Sequence, residues 1–171
     1  MFSIGDIIDL AVQIEKNAEK LFRDAAKEAS DPGLASMLQW LADEEVQHAE
    51  RFSEMKEEVQ ETVEDPRLEE MGKAVLEGTL GGQTFSLKDV DFSSLDQIDT
   101  LLKRVIEFEN DTILFYEMIR SFVEGQEIED HLDKIIEEEE SHVRVLEEFL
   151  GGEGDRDLTQ DMLTEPEDRF D

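Results

Sequence analysis

Apolar residues recur every three or four positions along most of the chain, the period of helices that bury one stripe. From Asp6 to Ala29 the stripe is Ile8, Ala11, Ala18, Phe22 and Ala25, and Ser30-Asp31-Pro32-Gly33 then interrupts it with turn residues. Leu34, Leu38, Leu41, Phe52, Met55 and Val59 predict a second helix from about Leu34 to Val63, with Pro66 marking its end. A third is predicted from Ser94 to Val123 on Leu102, Val105, Thr112, Tyr116 and Ile119. The fourth runs from Ile128 to Leu150 on Leu132, Ile135, Val143 and Leu146, and Gly151-Gly152 stop it. Residues 64–93 read as a connection with one short helix near Leu68–Leu76. Short turns force antiparallel neighbours, and a long crossover lets two hairpins pair. The expected fold is therefore all-α, a four-helix bundle of two helical hairpins, about 6–63 and 94–150. Residues 1–150 form the expected domain, and 151–171 an acidic C-terminal tail with a weak helical pattern at Leu158–Leu163.

Each apolar stripe is broken by a residue that does not belong there. Glu15 falls between Ala11 and Ala18, and Glu45 and His48 fall between Leu41 and Phe52. Glu109 sits between Val105 and Thr112, and Glu139 and His142 between Ile135 and Leu146. A buried carboxylate without a partner is costly, so it is protonated, paired or metal-bound. Four of them facing one core call for a cation.

The intervals sharpen this reading. Glu15 to Glu45 is 30 residues, and so is Glu109 to Glu139. A shift of 94 carries Glu15, Glu45 and His48 onto Glu109, Glu139 and His142, and also Phe22 onto Tyr116, Leu38 onto Leu132 and Leu41 onto Ile135. The chain is an internal repeat of two hairpins. The midpoints, residues 30 and 124, fall beside the two turns, so each glutamate pair is level across its hairpin. Glutamate and histidine at i and i+3 share one helix face, so one helix offers a carboxylate and an imidazole to one centre. Four carboxylates balance two divalent ions. Mixed oxygen and nitrogen ligands suit iron or manganese, whereas zinc more often occupies a closed tetrahedral site.

One Glu from each of two helices and Glu-x-x-His from the other two is the ligand pattern of ferritin-like di-metal carboxylate proteins. The stretches AVQIEKNAEKLF, LADEEVQHAERF, IEFENDTILFYE and IIEEEESHVRVL resemble the four metal-bearing helices of the rubrerythrin-related branch of that superfamily. The resemblance covers about residues 6–150. It implies a ferritin-like bundle holding two iron ions (Fe2+/Fe3+), with manganese or zinc as substitutes. It implies Glu15, Glu45, His48, Glu109, Glu139 and His142 as ligands, with Glu45 and Glu139 bridging. The implied function is a non-haem di-iron oxidoreductase that reduces peroxide or O2; the alternative is a ferroxidase or iron-storage protein of the same superfamily. A bundle that has lost its metal is the remaining reading.

Two departures stand out. Full-length rubrerythrins carry a cysteine-ligated rubredoxin-like domain, and this chain has no cysteine, so the expected electron donor is a separate protein. Rubrerythrins also have a second glutamate three residues after the helix-three ligand, where this chain has Thr112. Tyr116 lies two turns beyond Glu109 on the same face, roughly 10 Å along the axis. It is a redox partner, a hydrogen-bond donor to a ligand, or a core residue with its hydroxyl satisfied. His131 matches Met37 in the repeat and is expected at the surface. Trp40 is expected in packing or a subunit contact, and with apolar residues of the crossover it makes a homodimer the expected assembly.

Composition narrows the partners. Sixteen basic residues against 47 acidic ones give a net charge of −31, which excludes a phosphate-binding surface for nucleic acid and opposes anionic lipid. The absence of cysteine removes disulfides, thiolate metal sites and cysteine nucleophiles. The start carries no signal-peptide pattern and no run of about 18 apolar residues occurs, so a cytoplasmic, non-membrane protein is expected. Gly78, Gly81 and Gly82 lack the Lys-Ser/Thr that a phosphate cradle needs.

Overall fold

The first hairpin turns at Asp31, whose side chain accepts the Leu34 N–H at 2.7 Å and caps the helix that Pro32 begins. A computed structural model of the chain describes residues 2–59, 65–80 and 87–152. Among them are five α-helices: α1 (Ile4–Glu28), α2 (Pro32–Glu58), α3 (Pro66–Val75), α4 (Leu95–Arg120) and α5 (Gln126–Leu150). A π-helical turn, Leu76–Leu80, extends α3, and a single 3-10 turn spans Leu87–Asp89.

α1 packs along α2 and α4 along α5, while α1–α4 and α2–α5 contacts join the two hairpins. The architecture is the all-α pair of hairpins that the apolar period implies, linked through α3. Helix α2 stops at Glu58 rather than Val63; Val59 is its extended cap residue, and residues 60–64 lie outside the described part. The tail from 153 onward, with Leu158–Leu163, and Gly81 and Gly82 also lie outside it.

Two close approaches fix the ends of the bundle. Helix α3 packs on α1, and at Gly72 a side chain would meet the Phe2 ring, whose atoms lie 2.7 Å from where a Cβ would be. The Phe2 N–H donates to Glu69 Oε2 at 3.0 Å and holds the start of the chain on α3. Gly125 caps α5 with φ of +121°, a conformation that L side chains rarely adopt. Phe22, Phe52, Leu41, Leu132 and Tyr116 are fully buried between the hairpins. Each large apolar side chain so placed contributes about 1.5–3 kcal/mol relative to exposure. No helix among the described residues is long and apolar enough to cross a membrane.

Candidate metal centre

Each long helix turns one carboxylate into the middle of this apolar core. Glu15 comes from α1, Glu45 and His48 from α2, Glu109 from α4, and Glu139 and His142 from α5. None of the six is more than 1% exposed. The structure brings all of them together in two overlapping groups, Glu15-Glu45-His48-Glu139 and Glu45-Glu109-Glu139-His142. Within each group one donor atom per residue lies within 4.8 Å of the others. Glu45 and Glu139 belong to both groups.

The histidines face inward through Nδ1. His48 Nδ1 lies 2.8 Å from Glu139 Oε1 on the other hairpin and 3.2 Å from Glu45 Oε2 on its own helix. His142 Nδ1 lies 3.0 Å from Glu139 Oε2 and 3.4 Å from Glu45 Oε1. The two imidazoles stack with centroids 5.4 Å apart and planes 21° from parallel. Tyr116 donates its hydroxyl to Glu15 Oε1. Of the three roles open to it, the hydroxyl bonds a carboxylate of the cluster from within a fully packed core. Thr112 is buried beside Glu109, but its hydroxyl turns back to the Phe108 carbonyl at 3.0 Å.

Electrostatics divides the carboxylates into two pairs. Burial, then the charges of Glu139 and Glu45, push Glu15 and Glu109 well above the ordinary carboxylate range. Burial also acts against Glu45 and Glu139, but the two imidazoles overcome it and hold both below that range. His48 and His142 are disfavoured as cations by burial, yet the facing carboxylates raise both well above the usual imidazole value. The shared pair is thus favoured as carboxylates facing two imidazoles favoured as cations, while the outer pair is favoured in the protonated form. Glu45 Oε1, Glu109 Oε1 and His142 Nε2 are buried with no hydrogen-bond partner among the described residues. Such orphaned atoms are rare in a folded core, and two cations among four carboxylates and two imidazoles would engage the carboxylate pair of them. The donor set fits a di-metal cofactor.

The chain matches the family model for rubrerythrin over residues 6–150. The chain belongs to the rubrerythrin family. No curated protein and no solved structure gives a significant match. Family membership and the two Glu/His groups together support a metal-dependent oxidoreductase of the di-iron, ferritin-like class.

Several neighbours of the rubrerythrin-type centre were not legible as such. Glu138 Oε2 accepts from His48 Nε2 at 3.0 Å and from Arg51 Nη1 at 2.5 Å. Although burial opposes it, these two cations hold the Glu138 carboxyl at about 2. Glu44 has an oxygen within 4.8 Å of ring nitrogens of both His48 and His142. In the sequence both residues look like members of solvated acidic runs, but they stand 94 apart, at the same shift as the buried cluster. Trp40 is half-buried, its ring edge-on to His142 at 5.4 Å, which makes it a packing residue of the centre. His131 is exposed near the start of α5.

Proposed function

We propose that this chain is a non-haem di-iron oxidoreductase that reduces hydrogen peroxide, with O2 as the competing oxidant and a separate protein as electron donor. The observation that carries this reading is the pair of overlapping carboxylate–histidine groups sharing Glu45 and Glu139. In this reading Glu15, Glu45, His48, Glu109, Glu139 and His142 would hold the two ions, with Glu45 and Glu139, the members common to both groups, shared between them. Four carboxylates balance two divalent ions without further counter-charge.

Loaded as two ferrous ions, such a centre supplies two electrons. Two electrons and two protons would take one hydrogen peroxide to two waters, and the same two electrons and two protons would take O2 as far as hydrogen peroxide, so both oxidants balance and their relative rates decide between them. The protein's own residues orient and enclose: His48 and His142 aim Nδ1 at the shared carboxylates, and Tyr116 holds Glu15. Phe52 packs its ring 4.7 Å from that of Tyr116 and helps keep bulk water from the cluster. Thr112 leaves α4 with one carboxylate in the centre and a neutral side chain beside it.

Stopped-flow oxidation of the ferrous protein by peroxide and by O2, compared in rate, tests the proposal. Faster reaction with peroxide is expected. Preference for O2, together with tens of iron atoms retained per chain after aerobic loading, would establish the ferroxidase or storage alternative instead. Elemental analysis of protein purified without chelator identifies the resident metal.

A further inference from the structure

The shift of 94 that superposes the two halves of the cluster also carries Glu44 onto Glu138, yet the two carboxylates are used differently. Glu138 bonds His48 Nε2 and is itself held by Arg51. Glu44 accepts from the Gln47 amide at 3.3 Å, and His142 Nε2 has no hydrogen-bond partner among the described residues. One position accounts for the difference. Where the first hairpin has Arg51, the second has Val145, which is buried and offers no donor.

A histidine whose outer nitrogen donates to a carboxylate has its tautomer and ring orientation set before an ion arrives. Arg51 holds Glu138 through a charge-assisted bond at 2.5 Å, so the acceptor for His48 is fixed in place. His48 is thereby committed as an Nε2–H donor, with Nδ1 directed at Glu45 and Glu139. His142 has no such commitment.

We propose that Arg51 is a positioning residue that makes the two metal positions unequal. The position on Glu15, Glu45, His48 and Glu139 takes its ion first and more tightly than the one on Glu45, Glu109, Glu139 and His142. This rests on the di-metal reading of the centre and extends it to an order of loading. Partners of this kind are typically worth about 10–100-fold in metal affinity.

The test is a titration of the metal-free full chain with Co(II), followed by heat and by ligand-field absorption. Wild type is expected to bind two ions in steps separated by at least ~10-fold. R51M and E138Q should weaken the first step by ~10–100-fold and leave the second nearly unchanged, so that the steps merge. R51K, which keeps the cation, should preserve most of the separation. E138Q conserves volume and carries the test if R51M fails to fold, which a thermal melt of the metal-free variants reveals. Equal affinities in wild type, or equal weakening of both steps by R51M, would overturn the inference while leaving a two-ion centre standing. Failure of wild type to bind Co(II) at all would overturn the di-metal reading itself.

Discussion

Tyr116 on α4 donates its hydroxyl to Glu15 on α1, tying two hairpins together through a pair of side chains shut off from solvent. Burial, then the neighbouring Glu15, raises the phenol well above its ordinary value, so it stays a donor at any working pH. Tyr116→Phe keeps the ring against Phe52 and Phe115 but leaves a carboxyl oxygen of Glu15 unbonded. The expected cost is about 1–3 kcal/mol in the metal-free protein, read from denaturant midpoints at unchanged m-value.

Loss of a proposed ligand should empty the centre. Glu45 belongs to both four-residue groups, and His142 to one. Glu45→Ala is therefore expected to retain well under one ion per chain, and His142→Ala between one and two. Metal analysis after gel filtration measures both, and full occupancy in either variant would remove that residue from the ligand set.

Metal loading should release protons. Glu15, Glu109, His48 and His142 all have raised values, so each keeps its proton to higher pH than the free side chain does. Binding of divalent ions should displace those protons, in a number that grows as the pH is lowered, countable with an indicator in weak buffer.

The same shifts fix how stability responds to pH. Groups raised in the fold contribute stability that is whole below their unfolded values, 4.5 for the glutamates and 6.5 for the histidines, and is lost as pH rises through the folded values. Glu45 and Glu139 act oppositely: their contribution is present above 4.5 and lost as pH falls through their lowered values. Above pH 6.5, then, only the first trend operates. The metal-free melting temperature should fall there while the loaded protein holds, so the gap between the two widens with pH.

Gly125 is expected to resist substitution. Its φ of +121° with ψ of 123° begins α5, and no atom stands within 4 Å of where a Cβ would be, so the penalty is one of backbone rather than space. Gly125→Ala should cost about 1–3 kcal/mol, visible as a lower melting temperature with the metal-to-protein ratio unchanged.

Helix period and the shift of 94 made the four long helices and the inward-facing Glu15, Glu45, His48, Glu109, Glu139 and His142 legible in the sequence. Burial of an acid on an apolar stripe is a discord that local patterning exposes. Glu138 and Arg51 produce no discord, because a half-buried acid in the run Glu137–Glu140 and an arginine after Glu50 both read as solvated. Their bond depends on the side-by-side register of α2 and α5, which spacing within one hairpin does not determine. The bond from Tyr116 to Glu15 depends likewise on how α1 meets α4. The turn Leu76–Leu80 is illegible in the sequence for another reason: π-helical hydrogen bonding carries no separate period over so short a span.

The shared pair has a consequence for the order of events as the chain folds. Each hairpin is built from neighbours in sequence and can form early, whereas contacts across the crossover wait for a longer loop to close. Glu45 arrives with the first hairpin and Glu139 with the second, so neither half alone assembles either four-residue group. Of the six residues in those two groups, a nascent first hairpin holds Glu15, Glu45 and His48. On the proposed ligand set, a filled centre would be a certificate of correct docking, issued only after both halves have met in register.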